Sequence, residues 1–172
     1  LRQFPPPGLD ARDSYFAREV PRDKMPGRLF IGIHAPGKSM KTTLLRTYAG
    51  ILQRLSQHRS DPEQRDPYWT LIGYFNSLRE LGGALRLVED DVRARIKVLA
   101  ELDGEAPREI HSPRELSGRV GSEEIPELLE LMETPVGEPG VLDVLLSTNM
   151  ISVGVDVDRL GLMVVNGQPK MS

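Results

Sequence analysis

The run Tyr68-Trp69-Thr70-Leu71-Ile72-Gly73-Tyr74-Phe75 is apolar at nearly every position. A strand with one wet face alternates apolar and polar residues; one covered on both faces does not. This segment therefore predicts an inner strand of a parallel sheet with helices on either side. Further segments continue the pattern. Arg28–Ile33 reads as a strand ended by Pro36-Gly37, and Ser39–Leu55 carries Leu44, Leu45, Tyr48, Ile51, Leu52 and Leu55 at helical spacing. Ser56–Pro67 is polar and reads as a loop. A helix is expected over Leu78–Leu102, capped by Asn76 or Ser77, with Gly82-Gly83 as a possible kink. A short strand fits near Ile110, and Leu116–Val120 is compatible with strand or loop. Ser122 is placed to cap a helix over Glu123–Met132, and Val141–Ser147 and Leu160–Asn166 read as two more buried strands. Strands alternating with helices give an α/β fold of three layers, a mainly parallel sheet with helices on both faces.

Composition narrows the class. Of 172 residues, 39% are hydrophobic and 27% charged, enough apolar material for a sizeable core. Lys plus Arg number 22 against 25 Asp plus Glu, so a polybasic binder is excluded but a local basic edge is not. There is no Cys, which removes disulfides, zinc ribbons and thiol catalysis. His34, His58 and His111 have no ligand spacing, so no metal site is expected. No apolar run approaches the roughly 18 residues needed to span a bilayer, and a cytoplasmic location with no membrane partner is expected. Residues 1–27 hold five Pro, including Pro5-Pro6-Pro7, and read as an extended arm packing through Tyr15 and Phe16. The domain is expected to occupy 28–172.

In open α/β sheets, ligands bind at the carboxyl ends of the strands. The segment Leu145-Leu146-Ser147-Thr148-Asn149 ends a buried strand in small polar residues, and Gly154 and Asp156 follow. Thr148 and Asn149 are thus placed to reach a ligand, while Gly154 permits close backbone approach. Glu89, Asp90 and Asp91 read as a solvated helix face, and Trp69 and Tyr74 as core.

Residues 144–157 (VLLSTNMISVGVDV) resemble motif V of superfamily 2 helicases, and 159–169 resemble the strand that follows it in the second RecA-like domain. Residues 70–81 (TLIGYFNSLREL) look like motif IV, and Leu116–Arg119 with Ser122-Glu123-Glu124 like the motif before motif V. Together these stretches are similar to the helicase subunit of the DISARM anti-phage system, strongly over 68–172 and loosely upstream. The resemblance implies the second RecA-like domain of an ATP-dependent DNA helicase or translocase. It implies that Asn76, Ser77, Arg79, Ser117, Gly118, Arg119, Thr148 and Asn149 line the nucleic-acid face. It places Gly154 and Asp156 at the ATP cleft. ATP and Mg²⁺ are expected in the full-length enzyme, with none tightly bound here. The expected partners are DNA, a first RecA-like domain and possibly another defence subunit. Motif VI, with the arginines that stabilise the transferring phosphate, is expected beyond Ser172. No catalytic residue is expected in this chain, and alone it should not hydrolyse ATP.

A competing signal is Gly32-Ile33-His34-Ala35-Pro36-Gly37-Lys38-Ser39, which fits the phosphate-loop pattern G-x-x-x-x-G-K-[ST]. On that reading Gly32 and Gly37 shape the loop, Lys38 meets phosphate and Ser39 holds Mg²⁺, in a self-contained nucleotide-binding module. Against it, no strand ends in the acid that such sites use for the metal. An intermediate reading has Lys38, Ser39 and Lys41 meeting nucleic-acid phosphates. A non-catalytic docking domain of a defence complex is the third alternative.

Overall fold

The computed structural model describes residues 20, 21, 23–25, 27–148, 157 and 159–167. The chain divides between Pro36 and Gly37 into two compact units. In the first, the expected strand at 28–33 does not form. Leu29, Phe30, Ile31 and Ile33 are exposed, and among the described residues this run has no ladder partner. Strand-forming composition without a neighbouring strand leaves the backbone groups to water. Tyr15 and Phe16 lie outside the described residues.

The second unit opens with helix α1, Met40–Gln57. Ser39 caps it, its Oγ accepting from the Thr42 N–H at 3.1 Å. Leu44, Tyr48 and Leu52 repeat every fourth residue and bury against the sheet. The expected loop that follows contains a helix, α2, Pro62–Trp69. Its signal is local: Asp61 accepts from the Glu63 N–H at 3.2 Å, and Pro62 takes the first turn, where a missing N–H costs nothing. Because α2 runs to Trp69, strand β1 shortens to Leu71–Tyr74.

Helix α3 (Leu78–Arg86), a π-helical segment (Leu87–Val92) and α4 (Arg93–Asp103) form one continuous helical run. The irregularity falls at the π segment rather than at Gly82-Gly83. The wider turn lets Leu87 and Val88 bury side by side while Val92, Ile96 and Ala100 continue the core stripe. Gly104 ends the run in the left-handed region, φ 67°, which costs glycine nothing.

Strand β2 forms at Arg114–Leu116 rather than at Ile110, which is buried in the core outside any strand. Helix α5 spans Ile125–Glu133. Ser122 does not cap it: 121–124 form a turn in which the Glu124 N–H bonds the Gly121 carbonyl at 3.0 Å, and Glu124 precedes the helix without a side-chain cap. Strands β3 (Val144–Ser147) and β4 (Met163–Val165) complete a four-stranded sheet, ordered β2-β3-β1-β4 and parallel throughout.

Both faces of the inner strands β1 and β3 are covered, whereas β4, expected as a buried strand, lies at the sheet edge with Met163 and Val165 exposed. Leu71, Phe75, Val144 and Leu146 pack with α1, α3 and α4, while Leu116, Leu142 and Leu145 pack with Leu128 and Met132 of α5. Adjacent residues of β3 thus feed opposite cores, which is why its sequence does not alternate. Each such buried side chain stabilises the fold by about 1.5–3 kcal/mol. Chain handedness accounts for the layering. From β1 the chain steps past β3 to β2; from β2 it steps back to β3. Right-handed crossovers in opposite directions put α3–α4 on one face and α5 on the other. Gly73 is the close-approach point: a Cβ there would overlap Tyr48 Oη and come within 2.7 Å of Leu146 Cδ2. Burial holds the Tyr48 phenol well above its ordinary value. Among the described residues, no helix is long and apolar enough to cross a membrane.

Candidate nucleic-acid interface

Because all four strands run parallel, their carboxyl ends share one edge. Residues 75–77 follow β1, 117–119 follow β2, Thr148 follows β3 and Asn166 follows β4. Asn76, Ser77, Ser117, Gly118, Arg119 and Thr148, separated by up to 72 positions in sequence, are thereby brought to one edge, with Arg79 in the first turn of α3. Asn149, Gly154 and Asp156 lie outside the described residues.

Each position is held differently. Asn76 is half-buried, and its Nδ2 donates to the Asn166 carbonyl at 3.2 Å, tying the ends of β1 and β4. Ser77 caps α3, its Oγ accepting from the Glu80 N–H at 3.3 Å. Arg79 is exposed. Thr148 is half-buried, and its N–H reaches the Leu116 carbonyl at 3.3 Å. Ser147 is fully buried and donates to the Leu116 carbonyl, 2.8 Å away. These bonds lock the ends of β2 and β3 together directly beneath Thr148.

The turn after β2 is held by side-chain hydrogen bonds. The Ser117 hydroxyl is buried, donates to Glu115 Oε1 and accepts from the Arg119 N–H at 3.2 Å. Gly118 and Arg119 are exposed above it. The Arg119 guanidinium meets Glu115 through Nε–H to Oε1 and Nη2–H to Oε2, each 3.1 Å. A groove of about 310 Å³ lies alongside, lined by Pro113, Glu115, Arg119, Val120 and Leu128 among others.

Two participants were not selected from sequence. Asn166 follows β4 with its N–H on the Tyr74 carbonyl at 2.9 Å, and its Oδ1 is buried without a hydrogen-bond partner among the described residues. A signal existed, since Asn166 is a short amide at the end of an apolar run, as Asn76 is. Glu115 offered no signal, because a Glu-x-x-x-Arg spacing carries meaning on a helix and not across a strand end.

The segment 37–39 begins the second unit, and the start of α1 approaches the same edge. Met40, Lys41, Phe75 and Asn166 share the walls of a cleft of about 600 Å³. Lys41 is paired there with Asp91 at 3.1 Å. The phosphate-loop arrangement of Gly32, Gly37, Lys38 and Ser39 lacks its strand, since 28–33 forms none, and Ser39 Oγ is engaged at the helix cap. Among the described residues, no cluster of three or more His, Asp or Glu is set to hold a metal.

No protein-family profile matches the sequence. Over 175 aligned residues the chain is 53% identical to the DISARM protein DrmA of Bacillus paralicheniformis, an alignment covering 99% of this chain. The chain spans 16% of that protein's length. The resemblance to the DISARM system therefore holds over essentially the whole chain, which is a homologue of one stretch of a DISARM protein. Among solved structures, the Mycobacterium smegmatis helicase Lhr, bound to ssDNA and AMP-PNP, aligns with 77% of this chain and 14% of its own. That alignment has a TM-score of 0.43 at 17% identity, too slight a likeness to assign a function.

Proposed function

We propose, from this chain's homology to one stretch of a DISARM protein, that it is the second RecA-like domain of an ATP-dependent superfamily 2 DNA helicase or translocase. The domain proper would run over 28–172 after an arm at 1–27. The protein would act in anti-phage defence inside the cell. One observation carries the reading: residues chosen from three separate motif-like segments converge on the carboxyl edge of one parallel sheet.

On this reading the edge grips the backbone of one DNA strand without reading bases. Arg79 and Arg119 supply charge, Thr148 a hydroxyl, and the first turn of α3 its free N–H groups. Asn76 and Ser77 hold the ends of β1 and α3 in place, while Ser117 and Gly118 shape the turn that presents Arg119. Asn149 would extend the contact, and Gly154 and Asp156 would face ATP. ATP and Mg²⁺ would bind mainly on a first RecA-like domain elsewhere in the protein, and closure of the two lobes would move the strand. This chain's part is grip, not hydrolysis.

The test is anisotropy titration of the 172-residue chain with labelled oligo(dT) of about 20 nucleotides, over salt from about 50 to 200 mM. Binding is expected to weaken with salt, with a log–log slope of about −0.7 per phosphate contact. Thr148→Ala is expected to lower affinity and, in the full-length protein, DNA-stimulated ATPase. Absent binding, or binding indifferent to salt, overturns the proposal.

A further inference from the structure

We infer that Glu115 is a positioning residue that aims the Arg119 guanidinium at DNA phosphate. This rests on the reading of the carboxyl edge as a nucleic-acid face. A carboxylate is an odd neighbour for such a face, because its charge repels the phosphates the edge would hold. Its geometry explains its presence. Glu115 takes Arg119 by the Nε and Nη2 edge in a two-point fork at 3.1 Å each. It also accepts from the Ser117 hydroxyl, whose oxygen receives the Arg119 N–H. Backbone and side chain of Arg119 are thus fixed by one carboxylate and one buried hydroxyl.

The fork leaves most of the guanidinium available. Arginine carries five N–H groups, and the carboxylate occupies two of them. Among the described residues, both Nη1–H groups and the second Nη2–H have no acceptor, at the outer end of a side chain that is 50% exposed while Glu115 is 19% exposed. A planar guanidinium gripped on its inner edge presents its outer edge in one orientation, which suits two-point contact with a phosphate. Of the other charges along the groove, Arg114 pairs with Glu127 at 3.3 Å, and Glu124 lines the wall beside Arg119.

Positioning and plain electrostatics predict opposite signs. If Glu115 acts only through its charge, removing it tightens DNA. If it aims Arg119, removing it weakens DNA. The measurement is oligo(dT) affinity of the chain carrying Glu115→Ala, Glu115→Gln, Arg119→Ala and the double substitution. Glu115→Ala is expected to weaken binding by about 3–10-fold and to flatten the salt slope toward that of Arg119→Ala. Glu115→Gln keeps an acceptor for Nε–H and is expected to fall between Glu115→Ala and the parent. The double variant is expected to bind no worse than Arg119→Ala, since aiming an absent side chain has no effect. Thermal melting, expected to be unchanged for Glu115→Gln, separates this from misfolding. Equal or tighter binding by Glu115→Ala, or an undiminished loss in the Arg119→Ala background, overturns the inference. So does an Arg119→Ala chain that binds as well as the parent, in which case the grip at Thr148 still stands. A parent chain that does not bind removes both.

Discussion

The two ends of the sheet use their charged residues in different ways. At the carboxyl end, Asn76, Arg79, Gly118, Arg119 and Thr148 are exposed or half-buried. At the amino end the charges are interior. Asp143, just before β3, accepts from Arg108 Nη2–H at 2.8 Å and from the His111 N–H at 3.0 Å. Arg108 also donates to the Trp69 carbonyl at 3.0 Å and lies 3.8 Å over the Trp69 ring. Burial pulls its guanidinium below the ordinary arginine value, and Asp143 opposes that shift. Nearby, Asp66 receives Arg159 Nη2–H at 2.8 Å and Nε–H at 3.0 Å, linking α2 to the segment before β4. Polar chemistry holds the fold at one end and is left available at the other. Only the second pattern suits a ligand.

Substitutions can break this contrast. Arg108→Ala is expected to have the largest effect, about 3–5 kcal/mol of lost stability, because it leaves Asp143 buried and uncompensated. Denaturant unfolding checks the loss, and DNA affinity of the remaining folded chain should match the parent. Asp66→Asn comes next, at about 1.5–3 kcal/mol for lost charged hydrogen bonds. The Arg159 hydrogen bonds, aided by the Val136 N–H, hold the Asp66 carboxyl below its usual 3.8 against the opposing effect of burial. Its stabilisation is therefore fully present above about pH 4 and lost as pH falls through the lowered value. Unfolding measured against pH should show an acid-side decline that is shallower in Asp66→Asn.

Gly73→Ala, beneath both ends, is expected to cost about 1–3 kcal/mol by overpacking against Tyr48 and Leu146. Tyr48→Phe should recover part of that loss, since the Tyr48 hydroxyl has no hydrogen-bond partner. Calorimetry of the single and double variants reads the recovery. Arg79→Ala should be smallest in stability, within about 0.5 kcal/mol, because the side chain is exposed. It should nevertheless weaken DNA binding and reduce the salt slope by about 0.7. If Arg79→Ala destabilises and Arg108→Ala does not, the contrast between the two ends is wrong.

Local rules served where the signal was local. The α1 stripe, the β1 run and the β3 run are legible because periodicity depends on near neighbours. Helix α2 carries no apolar stripe and buries no side chain fully, so periodicity does not reveal it although Asp61-Pro62 is a helix start. The strand expected at 28–33 failed for the opposite reason. Its residues favour a strand, but pairing needs a partner that propensity does not specify. The π segment was invisible, since it is set by how Leu87 and Val88 meet the core together.

The candidate site divides in the same way. The residues alone point to Thr148 and Asn149, because a buried run ending in small polar residues is visible in one dimension; the other edge positions come from the family resemblance. Sequence alone also determined the α/β class, because doubly covered strands lose their alternation. Only the tertiary structure decided that the strand ends share an edge, that Ser117 turns inward while Arg119 stays out, and that Glu115 grips that arginine. It alone separated the buried Arg108–Asp143 pair from the exposed arginines. The physical reason is that burial and register are properties of the assembled sheet: the same Arg is a structural cation at one end and an available one at the other.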